Sequence, residues 1–173
     1  MVKIDLSSTD LEGSVLGGAD LGKSNLTNTW FVKSDLTKAS LVGAFGNRTR
    51  FTSANIQGAD LSKSEFSRAD LAKADLSRAT MVGAQLVRAN FSGAVLKDAN
   101  LMDANLSRSL MAGTDLTGAN MTGVYLYLTR ISGADLSTVR GLTEAQLAIA
   151  CGDATTKLPS GLKPPTHWPC LEP

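Results

Sequence analysis

The side chains able to do chemistry are few, and most recur with the chain's own period. Asp5, Asp10, Asp20, Asp35, Asp60, Asp70, Asp75, Asp115 and Asp135 stand at multiples of five. Paired carboxylates at a suitable separation can act as general acid and base. Asparagine takes the same place at Asn25, Asn55, Asn90, Asn100, Asn105 and Asn120, and it cannot exchange protons there. The position therefore suits bonding to nearby backbone better than catalysis. One histidine is present, His167 beside Trp168. It has no His or Cys partner at zinc-ligand spacing, and Cys170 alone does not make a site. It reads as a surface or cap residue. No nucleophile elbow, phosphate loop or dinucleotide fingerprint occurs. Calcium-binding repeats need a nine-residue pattern, so no metal or cofactor is expected. An enzyme is the least favoured reading. Cys151 and Cys170 form either a disulfide or two free thiols. A bond would close a loop of about 19 residues and contribute ~3 kcal/mol.

Length and charge narrow the classes further. The chain has 173 residues, enough for one ordinary domain. Its 17 Lys and Arg against 16 Asp and Glu leave a net charge of +1. That balance favours neither a nucleic-acid binder nor an acidic mimic of nucleic acid. No uninterrupted apolar run approaches membrane-spanning length. Met1-Val2-Lys3 runs straight into the repeat, so no signal peptide is expected in the chain as it stands, which leaves export open.

What positions these groups is a period of five. Large apolar residues recur from Leu6 to Leu136 in one frame, 27 positions in all, 26 of them apolar and one Gly46. The residue two before each centre is small from Thr9 to Ala134, the single exception being Val124. The residue one before is Asp or Asn in 15 repeats. The residue two after is Gly in ten and Lys or Arg in ten. On a helix such centres fall about 140° apart and form no stripe. A continuous strand needs period two, so each unit must contain a turn that resets the inward direction. Within a unit the centre and the small residue two before it share a face and point inward. The other three positions point out. Gly two after the centre suits a turn with φ above zero. The chain thus reads as an all-β solenoid of short extended segments whose core exists only through stacking.

The units Ala19-Asp20-Leu21-Gly22-Lys23, Ala99-Asn100-Leu101-Met102-Asp103 and Ala119-Asn120-Met121-Thr122-Gly123 closely resemble the pentapeptide-repeat family. The resemblance covers about residues 4–140. It implies a right-handed quadrilateral β-helix with one pentapeptide per side, six to seven coils, and a length of roughly 30 Å at strand spacing. Residues 20 apart would then stack. One interior column would read Phe31, Phe51, Leu71, Phe91, Met111, Ile131, and the next Leu6, Leu26, Gly46, Phe66, Leu86, Leu106, Leu126. Gly46 leaves a gap there, to be filled by Phe66 or by a re-aimed Phe45.

Stacking by 20 also brings Arg48, Arg68, Arg88 and Arg108 into one external ladder. Like charges about 5 Å apart in water repel by up to ~1 kcal/mol per pair. Either the heads splay into solvent or pair with neighbours such as Glu65 and Asp70, or the strip binds an anion or an acidic protein. Trp30, Tyr125 and Tyr127 also stand at outward positions and mark candidate contact patches.

The period ends near Arg140, and residues 141–173 form a separate C-terminal cap of helix and Pro-rich coil. Thr143 to Gln146 carries a capping box, which predicts a helix over about 143–151 ending near Gly152. All five prolines follow it. Leu158, Leu162 and Trp168 are expected to cover the last coil. The tail from Ala150 to Cys170 is similar to tails of some exported proteobacterial members of the family, which implies the periplasm, with the cytoplasm as the alternative. The N-terminal coil has no such cover, and end-to-end homodimerisation through it is expected. The leading functional reading is a non-catalytic scaffold for an unknown protein partner. The alternative, by analogy with the family, is a DNA-mimicking protein that binds and protects gyrase. That role needs a strongly acidic surface, which the net charge of +1 and the arginines oppose.

Overall fold

The computed structural model describes residues 4–170; Met1-Val2-Lys3, on which the absence of a leader was read, and the last three residues of the cap lie outside them. Each pentapeptide repeats one hydrogen-bonding scheme. In the repeat centred on Leu71, the Leu71 N–H donates to Asn90 O (2.8 Å) and the Lys73 N–H to Ser92 O (3.0 Å), both in the next coil. The Asp75 N–H donates to Ala54 O in the previous coil (2.9 Å). The Ala74 N–H returns to Leu71 O (3.1 Å) and closes a turn. The second central residue of that turn has φ between 53° and 71° in every repeat from Ser8 to Gly133. This is the sign a type II turn demands at that place, which explains the ten glycines. Lys, Arg, Asp and Leu128 adopt it too, so coil-to-coil pairing overrides the local preference.

The fifteen Asp and Asn residues one before the centre all do the same work. Each side-chain Oδ1 accepts the backbone N–H two residues on, at 2.9–3.3 Å. That N–H lies in the turn and has no partner in a neighbouring coil. The side chain therefore satisfies a donor the stack leaves over.

Parallel bridges join residues 20 apart without interruption, from Asp5 with Asn25 to Asn120 with Arg140. One coil is thus four repeats. The centres and the small residues two before them form one continuous buried core, and the other three positions lie at the surface. Where the small residue is threonine, its hydroxyl reaches a carbonyl 23 residues back: Thr29 to Leu6, Thr49 to Leu26, Thr114 to Phe91 and Thr129 to Leu106, at 2.7–2.9 Å.

Gly46 keeps the regular backbone pairing. Its missing side chain is replaced from above. A Cβ on Gly46 would overlap the Phe66 ring and the Thr49 hydroxyl. Phe66 dips into the gap and meets Phe51 edge-on, with ring centroids 5.3 Å apart, while Phe31 stacks flat on Phe51 at 5.2 Å. Phe45 stays at the surface, 43% exposed, so its re-aiming is ruled out.

The helix is shorter than the sequence predicts. The structure gives α1 as Glu144–Leu147, with the Thr143 capping box present. The reason lies in the coil beneath. Ile149 O accepts from Leu128 N–H (2.7 Å), Cys151 N–H donates to Thr129 O (2.8 Å), and Cys151 O accepts from Ile131 N–H (2.8 Å). From residue 149 the chain gains more by pairing with the last coil than by continuing the helix. Leu147 and Ala150 join the core, and Leu142, Leu158, Leu162 and Trp168 pack against it. The Gln146 side-chain amide donates to Met121 O and Val124 O (2.9 and 3.0 Å), and Trp168 Nε1 donates to Ala150 O (2.8 Å). Cys151 and Cys170 are bonded as a disulfide, their Cα atoms 5.3 Å apart.

Candidate interaction surface

The four turn columns differ in one respect. Three of them mix glycine with other residues; the fourth runs Ser8, Asn28, Arg48, Arg68, Arg88, Arg108, Leu128 and contains no glycine. All four arginines of that column are exposed, with φ of 58–60°. Their backbone N–H groups are bound to the next coil, at 2.8–3.1 Å, so the ladder stands on a rigid base. Among the described residues no carboxylate forms an ion pair with any of the four. Asp70 is already occupied by Thr52 Oγ1 (2.9 Å), Asn90 Nδ2 (3.0 Å) and the Ala72 N–H (3.1 Å). Pairing with Glu65 or Asp70 is therefore not what the structure shows.

Apolar surface gathers beside the same column. Bridged columns place Phe45 and Tyr125 on one flank, and Trp30 and Leu110 on the other. Tyr127 and Leu128 stand in the turn itself. Among the described residues these are six of the eight large apolar side chains left exposed, Ile4 and Val15 being the other two. Arg50 lies over the Trp30 ring at 4.7 Å, and Arg108 lies 6.0 Å from the centroid of Tyr127. Tyr127 in turn stacks on Tyr125, with centroids 6.3 Å apart. Aromatic and arginine side chains are the types that dominate protein interfaces. The sequence singled out Trp30, Tyr125 and Tyr127 but not their convergence on the ladder. The signal was there, in the 20-residue register applied to the outward positions.

Two concavities flank Arg88 and Arg108. One, of about 560 Å³, runs along the ladder past Ser67, Arg68 and Val87 to Tyr127. The other, of about 680 Å³, runs past Leu110, Leu128 and Arg130 to the Cys151–Cys170 disulfide and Pro169.

The aspartates one before each centre are committed to turns. The Ser137 hydroxyl first, then Lys157, whose Nζ lies 2.9 Å from Oδ2, hold Asp135 down at about 2. The Thr117 hydroxyl and N–H hold Asp115 below the usual carboxylate range. At Asp75 burial opposes ionisation, but bonds from Ser77 and Gln57 outweigh it. Such groups stay ionised near neutral pH, the reverse of a carboxyl tuned to exchange protons there. Among the described residues no cluster of His, Cys, Asp and Glu is arranged to hold a metal ion, and no helix is long and apolar enough to cross a membrane.

The coil of four five-residue units, each with its inward pair, finds its match among known families. A model of pentapeptide repeats fits in eight copies, over residues 4–41, 31–68, 60–98 and 99–137. The chain belongs to the pentapeptide-repeat family. It is similar to the solved pentapeptide-repeat protein HetL of the cyanobacterium Nostoc sp. PCC 7120, involved in regulating heterocyst differentiation. Identity is 27% and the TM-score 0.64, over 91% of this chain and 78% of HetL. Alr5209, a pentapeptide-repeat protein of Nostoc PCC 7120, matches at 27% identity and a TM-score of 0.50, over 68% of this chain and 78% of its own. QnrB1, a plasmid-mediated fluoroquinolone resistance protein, matches at only 17% identity and a TM-score of 0.49, over 84% of each chain. No curated protein matches the chain.

Proposed function

We propose that this pentapeptide-repeat protein is a non-catalytic scaffold that binds an acidic protein partner along the arginine column. The convergence of six exposed apolar side chains on four arginines that have no carboxylate partner among the described residues carries the reading. Rigid backbone beneath the ladder means little ordering cost on binding. We read residues 4–140 as a right-handed, four-sided β-helix and residues 141–173 as its cap. The disulfide at that cap supports an oxidising compartment, the periplasm, over the cytoplasm. The N-terminal coil supports a second contact, between two copies. Leu6, Leu11 and Leu16 are only half-buried, and Val15 is 82% exposed.

The test is capture of partners from extract of the source cells on immobilised protein. Reversing Arg68 and Arg88 to Glu is expected to abolish capture; undiminished capture removes the ladder from the account. A gyrase supercoiling assay in the presence of the chain is expected to show no effect. Light scattering at high concentration is expected to show a dimer, and a monomer there dismisses the end-to-end contact.

A further inference from the structure

The two concavities share Arg88 and Arg108, and each lies on one side of that pair. Together they make a track along the column rather than a closed pocket. It begins at Asn47, passes the guanidinium groups, and ends against Leu110, Leu128, Pro169 and the disulfide. From the coil of Asn47 to that of Cys151 is five coil steps, roughly 24 Å at strand spacing. An extended peptide rises about 3.3 Å per residue, so about seven residues span it. Among the described residues no carboxylate pairs with Arg68, Arg88 or Arg108, so the track presents a cationic strip. The two ends differ in chemistry. The Asn47 end is polar and cationic, whereas the far end adds apolar surface, with Leu110 and Leu128 both 40% exposed beside Arg130 and Ser132. Each concavity falls within the size range of ligand sites, about 300–1,000 Å³.

We infer that this track seats one extended peptide segment of the partner, about seven residues long, acidic along its length and ending in large apolar side chains. The carboxylates lie against Arg68, Arg88 and Arg108. The apolar residues lie in the space between Leu110, Leu128 and Pro169. This assignment rests on the protein-scaffold reading above and gives it a ligand.

Glycine makes the test clean. The turn position favours φ above zero, and Gly fills it in ten repeats, so Arg→Gly there removes charge while easing the backbone. The probe is a fluorescein-labelled peptide, Glu-Asp-Glu-Asp-Glu-Leu-Leu, followed by fluorescence polarisation against the full chain. Arg88→Gly with Arg108→Gly is expected to weaken it at least tenfold, with unchanged circular dichroism. Arg78→Gly, on another turn column, is expected to leave it within twofold. Leu128→Gly is expected to weaken it about fivefold, yet leave an all-acidic peptide of the same length unchanged. The inference is overturned by absent saturable binding, by equal loss with Arg78→Gly, or by equal affinity when the two leucines are replaced by serine. Peptide failure with ladder-dependent partner capture intact rejects the track alone. Ladder-independent capture with intact peptide binding rejects the scaffold reading alone.

Discussion

At the residue scale, the core is defined by its departures from a strict repeat. Gly46 and Phe66 act as one unit, because the ring occupies the space a side chain at 46 would need. Gly46→Ala is expected to cost about 2 kcal/mol by overpacking. Adding Phe66→Leu should recover most of it, which urea unfolding of both variants will show; no recovery would place the strain at the Thr49 hydroxyl or in the backbone. Ser64 offers the opposite case. Its hydroxyl is buried without a partner, while Ala44 and Ala84 fill the same column one coil away on either side. Ser64→Ala should therefore raise stability by about 1 kcal/mol, read as a higher urea midpoint with an unchanged slope. The inward and outward positions were legible because side-chain size follows the five-residue frame without a slip. The filling of the gap was only half legible. A missing side chain shows that volume is lost, but not which of two phenylalanines has the rotamer freedom to supply it.

At the scale of elements, the contest is between local propensity and coil pairing. The Thr143 cap was readable because its donors and acceptors lie within four residues. The early end of α1 was not, since it depends on the Leu128 and Ile131 N–H groups and the Thr129 carbonyl of the coil beneath. The same holds for the tether between Lys157 and Asp135 (2.9 Å), which no spacing rule could foresee. Asp135 is depressed from 3.8 to about 2, so its contribution is fully present above pH 4 and is lost as pH falls through 2. Lys157 is raised above 10.5, so its share persists through neutral pH and is lost in strong alkali. In Lys157→Met, the carboxyl midpoint followed by NMR should rise yet stay below 3.8, because the Ser137 hydroxyl is the larger cause. A wild-type midpoint already at 3.8 would remove the tether from the account. Cys151→Ser with Cys170→Ser should cost ~3 kcal/mol in thermal or denaturant unfolding, an entropic estimate for a loop of this size. An unchanged transition would mean that the segment closes over the last coil without help from the bond.

At the scale of the whole molecule, stacking turns a local pattern into extended columns. Turn columns that mix glycine with other residues give surfaces without a dominant chemistry. The one column without glycine aligns four arginines and collects most of the exposed apolar side chains beside it. None of these residues is distinctive within its own pentapeptide; the property belongs to the register. That is why the arginines were visible in the sequence, while their joining to Phe45, Leu110 and Leu128 was not. On this reading the glycine-free column is the binding face. Arginine-specific covalent labelling, read by mass spectrometry on the free chain and on the complex recovered with its partner, tests it most directly. Arg68, Arg88 and Arg108 are expected to be protected in the complex, with Arg78 and Arg140 labelled as in the free chain. Full labelling of the ladder, or equal protection of Arg78, would contradict the account.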